Sequence, residues 1–258
     1  MAKHNAHRPA AAPNRAPFYG ILIAIALVGI GSILYLKNSK PSAPEPNEAY
    51  EAMRKQYANA GPPQPYVHGK ADAPVVIEEF ADYECPSCGR FATITEPDVR
   101  ARIVDSGLAV YKYYDFPLPM HKNSPAASLA AACADEQGKF WPMHDQLFAS
   151  QDQWGLGPSE REVVDNPKDV FLTIAKSVGL DAAKWEQCYD SGKYNARIAA
   201  NAAEAVRRNV DQTPTFYVNG VKAAGALSYD QLKEMVVKAS QKGPMSAADS
   251  AFGNMIKH

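Results

Sequence analysis

A short run of strand character, Pro74-Val75-Val76-Ile77-Glu78-Glu79-Phe80, leads into Cys85-Pro86-Ser87-Cys88. Far downstream, Thr213-Pro214-Thr215-Phe216 stands before a second short strand-like stretch. Two cysteines three apart at a helix start can open and close a disulfide. The first then sits at the helix N-terminus, where unpaired N–H groups and the helix dipole favour a thiolate. The second lies one turn in, close enough to resolve a mixed disulfide formed by the first. The pattern reads as a thiol–disulfide exchange centre, with Cys85 attacking and Cys88 resolving. Pro86 suits the first helical turn, where a missing N–H costs nothing. Ser87 offers the thiolate a weak hydrogen bond and no charge.

Other uses of the cysteines fit less well. A zinc site needs four ligands, usually two C-x-x-C pairs or one pair with a spaced histidine pair. Cys133 and Cys188 stand alone and no such histidine pair follows. A copper carrier would want a nearby His or Met, and Met120 and His121 are the candidates. A purely structural Cys85–Cys88 bridge would close a very small, reducible loop. The expectation is therefore no metal and no cofactor.

The net charge of -1 and the absence of a basic block give no case for nucleic-acid binding. The largest compositional break is at the N-terminus. Residues 18–36 read FYGILIAIALVGIGSILYL, without a charge. At ~1.5 Å per residue this is about 28 Å, close to a bilayer's hydrocarbon core. A cleaved signal peptide has a shorter apolar core and an A-x-A-like site, and Lys37-Asn38-Ser39-Lys40-Pro41 offers none. The stretch is expected to be an uncleaved anchor. Lys3, Arg8 and Arg15 precede it and Lys37 and Lys40 follow, a thin bias towards a cytoplasmic N-terminus. Four cysteines able to form two pairs suit an oxidising compartment outside the cytoplasm. There, Cys133 and Cys188 are expected to form a structural disulfide; as two buried free thiols they would pack equally well.

The expected organisation has residues 1–17 as a disordered cytoplasmic segment, 18–36 as the transmembrane anchor and 37–65 as a Pro-rich linker. Within the linker, 47–58 has the composition of a solvated helix. A folded domain follows over 66–242, then a polar tail, 243–258. Strands are expected over 75–80 and 109–116, and a helix from Cys85 to about Ser106 with a kink at Pro97. Helices follow over 125–137, 140–150, 167–178 and 181–210, the last broken at Ser191-Gly192. Thr215–Val218 and Val221–Ala224 flank Asn219-Gly220, a type I′ hairpin signal, and a helix over 228–242 closes the domain. Trp141, Phe140, Phe148, Trp154 and Trp185 have the spacing of core residues, and His121 and His144 read as surface or structural histidines.

The segment Ala73 to Cys88 resembles the active-site segment of DsbA-like thioredoxin-fold oxidoreductases, in their membrane-anchored bacterial branch. Asp115-Phe116-Pro117-Leu118-Pro119-Met120-His121, Lys139-Phe140-Trp141 and Thr213-Pro214-Thr215-Phe216 match in the same order, so the likeness covers residues 66–242. It implies an α/β thioredoxin fold with a helical insertion over about 120–210, behind a single N-terminal transmembrane helix. It implies a cis-proline at Pro214, with Thr213 main chain open to an extended substrate segment. It also implies a buried acid beneath the second cysteine. Glu79 matches that place, while Glu78 should face the other way because strand side chains alternate.

The resemblance implies oxidation of cysteines in exported proteins, with a membrane quinone-linked partner of the DsbB or vitamin K epoxide reductase-like type restoring the disulfide. One departure stands out. Strongly oxidising members often carry His where this chain has Ser87, so a milder oxidant is expected, and Glu84 would oppose the thiolate if it turned inward. A reductase or isomerase would use the same residues in reverse. A metal-binding or chaperone module would not need Cys85.

Overall fold

The computed structural model describes residues 46–155 and 165–241, together with Gly29. The segment 1–17, the expected anchor 18–36 apart from Gly29, residues 37–45 of the linker and the tail 243–258 lie outside the described residues. Among those described, no helix is long and apolar enough to cross a membrane.

Five strands make one mixed sheet: β1 (Tyr66–His68), β2 (Val75–Ala81), β3 (Ala109–Asp115), β4 (Thr215–Val218) and β5 (Val221–Ala224), in the order β1-β3-β2-β4-β5. The central pair β2 and β3 is parallel, with Glu79 level with Tyr113, and the other neighbours are antiparallel. A parallel pair needs a crossover. Here it is a helical rod over residues 86–104, α2. α2 has α-helical stretches Pro86–Arg90 and Glu96–Val99 and π-helical turns Phe91–Thr95 and Arg100–Val104. Pro97 lies in the α-helical stretch between these two wide turns. Proline lacks an N–H and crowds the carbonyl four residues back, and a π-turn relieves both without ending the helix.

Alternation along β2 divides the core. Val75 and Ile77 face α2 and the closing helix α9 (Tyr229–Gln241), meeting Phe91, Val99, Ile103, Leu232 and Val236. Phe80, on the other face, packs with Tyr114, Phe116 and Tyr217 against α8 (Asn195–Arg207). A helical module of α3 (Ser124–Asp135), α4 (Phe140–Ala149), α5 (Gln151–Trp154), α6 (Lys168–Ser177) and α7 (Ala182–Ser191) forms the third cluster. Within the span expected as an insertion, α8 thus serves as the covering helix of the sheet. α7 ends at Gly192 in the left-handed region (φ 63°), at the expected break. Asn219 and Gly220 both have positive φ, as a type I′ turn requires, and the Asn219 side chain accepts from the Val76 N–H at 2.7 Å.

The charged stretch expected as a solvated linker helix forms α1 (Pro46–Gln56), but it is docked. Met53 is buried beside Val206 and Val210, the Tyr50 hydroxyl donates to the Val206 carbonyl at 2.9 Å, and Arg54 reaches Asn209 at 2.8 Å. Burying one Met side chain contributes about 1.5–3 kcal/mol, enough to hold a short helix that its own composition would leave in water.

Candidate active site

Cys85 is the N-cap of α2, with extended backbone (φ -72°, ψ 122°) and Pro86 following in the first turn. Both Cys85 and Cys88 are free thiols, the first 8% exposed and the second fully buried. The Thr213–Pro214 peptide is cis, and the Cys85 Sγ lies 3.4 Å from the Thr213 carbonyl oxygen. Residues more than a hundred positions apart thus meet at one sulfur.

The two thiols are driven in opposite directions. A hydrogen bond from the Cys88 thiol is the largest influence on Cys85. Burial opposes it, while the N–H groups of Cys88 and Ser87 add to it, and the Cys85 pKa falls to about 6. Cys85 is therefore a thiolate at neutral pH. Ser87 acts through its backbone, at the open end of the helix. Burial pushes Cys88 well above its ordinary value, and the Cys85 hydrogen bond and the charges of Cys85 and Glu79 push the same way. One sulfur is ready to attack and the other holds its proton until a mixed disulfide forms.

Glu79 points from β2 into the layer beneath α2 and is 1% exposed, its Oε2 accepting from the Tyr111 hydroxyl at 2.5 Å. Burial, then the charge of Glu96, hold its carboxyl well above the usual carboxylate range. A carboxyl that titrates late, next to a thiol that must lose its proton, is suited to passing that proton. Glu78 points the other way, but not into solvent. It pairs with Arg208 at 3.0 Å and accepts from the Tyr114 hydroxyl at 3.1 Å. Lys112 lies level with Glu78, so Tyr111 rather than Lys112 is the neighbour of Glu79.

Three features of the site escape the sequence reading. Glu84 is buried, but it turns to the start of α3, where its Oε2 accepts the N–H groups of Asn123 (2.7 Å) and Ser124 (3.1 Å). Gln151 on α5 donates from Nε2 to the carbonyls of Tyr83 (2.7 Å) and Cys85 (3.0 Å), pinning the turn that carries the nucleophile. Asp82, 1% exposed, accepts from the N–H groups of Glu84 and Leu118 and meets His121 Nδ1, each at 2.7 Å. His121 belongs to a motif visible in the sequence; its approach to Asp82 is a product of the fold.

Beyond the cysteines, Glu96, His144 and Asp145 bring three donor atoms within 4.8 Å of one another. The Arg100 guanidinium already bridges Glu96 and Asp145, and His144 is held between Glu96 (3.2 Å) and the Tyr83 hydroxyl (3.0 Å). An arginine thus already sits between the two carboxylates, and the donors are engaged in packing the module onto α2. Cys133 on α3 and Cys188 on α7 form a disulfide, away from the C-x-x-C turn.

Comparison with known proteins follows the same lines. The family model described as thioredoxin matches residues 62–238. The oxidised BdbD structure from Bacillus subtilis superimposes with a TM-score of 0.60 at 26% identity, over 70% of this chain and 98% of that one. A thioredoxin-like oxidoreductase from Silicibacter pomeroyi gives 0.56 at 25% identity, over 73% and 97%. Over 245 residues the chain is 31% identical to the Na(+)/H(+) antiporter NhaA 3 of Salinispora tropica, which is 93% of this chain and 35% of the antiporter. The chain spans about a third or less of the length of the curated relatives it matches. It belongs to the thioredoxin family, with a fold like that of the DsbA structures from Wolbachia pipientis and Chlamydia trachomatis.

Proposed function

We propose that the chain oxidises cysteines of exported proteins, working outside the cytoplasm on a membrane tether formed by residues 18–36. The observation that carries this reading is the pairing of a Cys85 thiolate, with a pKa near 6, against a buried Cys88 thiol. A stabilised thiolate favours the dithiol form, so the disulfide form gives up its bond readily.

In the reaction a substrate thiolate attacks Cys85 Sγ of the oxidised pair and breaks the Cys85–Cys88 bond. Cys88 leaves as a thiolate and takes a proton, with the buried Glu79 carboxyl proposed as its source. A second substrate thiolate then attacks the substrate sulfur of the mixed disulfide and releases Cys85 as a thiolate. Two electrons pass from substrate to enzyme and the substrate gains one disulfide. The main chain of Thr213, beside Cys85, is the group proposed to pair with the substrate segment, with Pro214 shaping that loop. A membrane quinone-linked protein of the DsbB or vitamin K epoxide reductase-like type would take the two electrons onward.

A redox titration of the Cys85–Cys88 pair in glutathione buffers tests the direction. The reading expects an equilibrium more oxidising than that of thioredoxin-like reductases, near ~-270 mV, and nearer the ~-120 mV of strong oxidants. A value at or below the thioredoxin figure would instead assign the chain to disulfide reduction.

A further inference from the structure

The dipeptide between the cysteines carries no cation, yet a histidine stands at the turn that presents them. Asp82 is the hub. Its carbonyl accepts the Cys85 N–H at 3.1 Å, one carboxylate oxygen accepts the Glu84 N–H, and the other meets His121 Nδ1 at 2.7 Å. Its backbone N–H faces the Cys88 sulfur. A buried carboxylate in this position, left alone, would oppose the charge that forms on Cys85. We propose that His121, in its protonated form, neutralises Asp82 and acts as the cationic positioning residue that stabilises the Cys85 thiolate, so that the charge on His121 and the redox state of the cysteines are linked.

The surroundings of His121 fit this role. The groups facing it are Asp82 from the end of β2, and Glu84 and Cys85 from the turn into α2. The next residue, Lys122, turns to Asp165 instead. Glu84 turns its Oε2 to the start of α3, and Asp82 is the carboxylate that meets the imidazole. Burial works against the charged ring, but the Asp82 contact and the charges of Cys85 and Glu84 outweigh it, and the His121 pKa rises above 6.5. Linkage is reciprocal: whatever the thiolate does for the imidazolium, the imidazolium does for the thiolate. When the disulfide is reduced above the Cys85 pKa, two electrons enter, Cys88 takes one proton and Cys85 stays charged. His121 then takes a further fraction of a proton, because a new negative charge has appeared beside it.

The test is an NMR titration of the histidine ring in the full-length protein, once as dithiol and once as disulfide, with the His121 ring signal assigned through its bonded connection to the backbone. The expected result is a His121 midpoint higher in the dithiol form by about one pH unit, the size of a nearby opposite charge. Thiolate absorbance of Cys85 should move up by a similar amount in His121→Gln. In His121→Lys, which keeps a cation at every pH, it should stay at or below the wild-type midpoint. Equal His121 midpoints in the two redox states, or wild-type Cys85 titration in both variants, would overturn the proposal, and the first readout needs no variant to fold. The inference rests on Cys85 as the attacking thiol, not on the direction of electron flow. A reducing potential in the glutathione titration would remove the oxidase reading and leave this linkage standing.

Discussion

Removing the Cys133–Cys188 bridge, as Cys133→Ala/Cys188→Ala, should loosen the fold and leave the chemistry in place. The bond joins α3 to α7 across 55 residues of sequence. In the chain-entropy treatment, closing a loop of that length restricts the unfolded chain by about 14 cal/mol/K, or about 4 kcal/mol at 25 °C. The native contacts around it do not depend on the bond. Trp185 Nε1 donates to the Ala130 carbonyl at 3.1 Å, and Gln137 and Asp181 exchange two hydrogen bonds between the same helices. Alanine leaves no buried hydroxyl without a partner, and the two buried sulfurs it removes add a packing loss to the unfolded-side effect. For a domain of this size about 4 kcal/mol lowers the melting midpoint by roughly 8–16 °C. Circular dichroism melts without reductant measure it, and the rate of exchange with a small dithiol, per folded molecule, should match the wild type. A midpoint lowered by less than about 2 °C, equivalent to under 1 kcal/mol, would refute the entropic argument. Loss of exchange in folded protein would refute the separation of this bridge from turnover.

Glu79→Gln keeps the Tyr111 hydrogen bond and removes a titration, so turnover with model dithiols should fall about a hundredfold, the lower end of general acid–base effects, and lose its rise with pH. Glu78→Gln loses only the Arg208 pair on the opposite face and should turn over normally; equal behaviour of the two would refute the assignment. The same carboxyl makes a stability prediction. Its folded pKa is raised, so the folded state keeps a proton that the unfolded chain gives up above about 4.5. Stability is therefore lost as pH rises from there to the folded value, by about 1.4 kcal/mol per pH unit between them. Urea midpoints of Glu79→Gln should gain on the wild type across that window, and no gain would show that the carboxyl is not desolvated. Finally, alkylation of the dithiol form should follow a titration near pH 6 and label Cys85. A midpoint near the ordinary 9.0, or faster labelling of Cys88, would invert the roles given to the two cysteines.

The sheet and its crossover were legible because their signals are local. Val75 to Phe80 is an apolar run broken only by Glu78 and Glu79, Pro86 marks a first helical turn, and Asn219-Gly220 can hardly be anything but a tight hairpin. β1 went unread because three residues carry no periodicity. The docking of α1 was equally invisible, since one apolar residue, Met53, decides it against a charged helix. In the site, spacing alone selected Cys85 and Cys88, and alternation separated Glu79 from Glu78. What spacing could not supply were partners brought from elsewhere in the chain: Tyr111 for Glu79, Gln151 for the nucleophile's turn, Asn123 and Ser124 for Glu84, and His121 for Asp82. Each is a long-range polar contact involving buried or half-buried groups, and such contacts leave no periodic trace in sequence.

The central claim is that Cys85 exchanges disulfides with substrate thiols while Cys88 resolves them. It is tested most directly by mixing Cys88→Ala with a reduced, unfolded model protein and an excess of a small disulfide, then mapping the adducts. The account predicts a stable mixed disulfide between Cys85 and the model protein, absent in Cys85→Ala and not accumulating in the wild type, where Cys88 breaks it. Adducts absent from Cys88→Ala, or formed equally well by Cys85→Ala through Cys88, would contradict it.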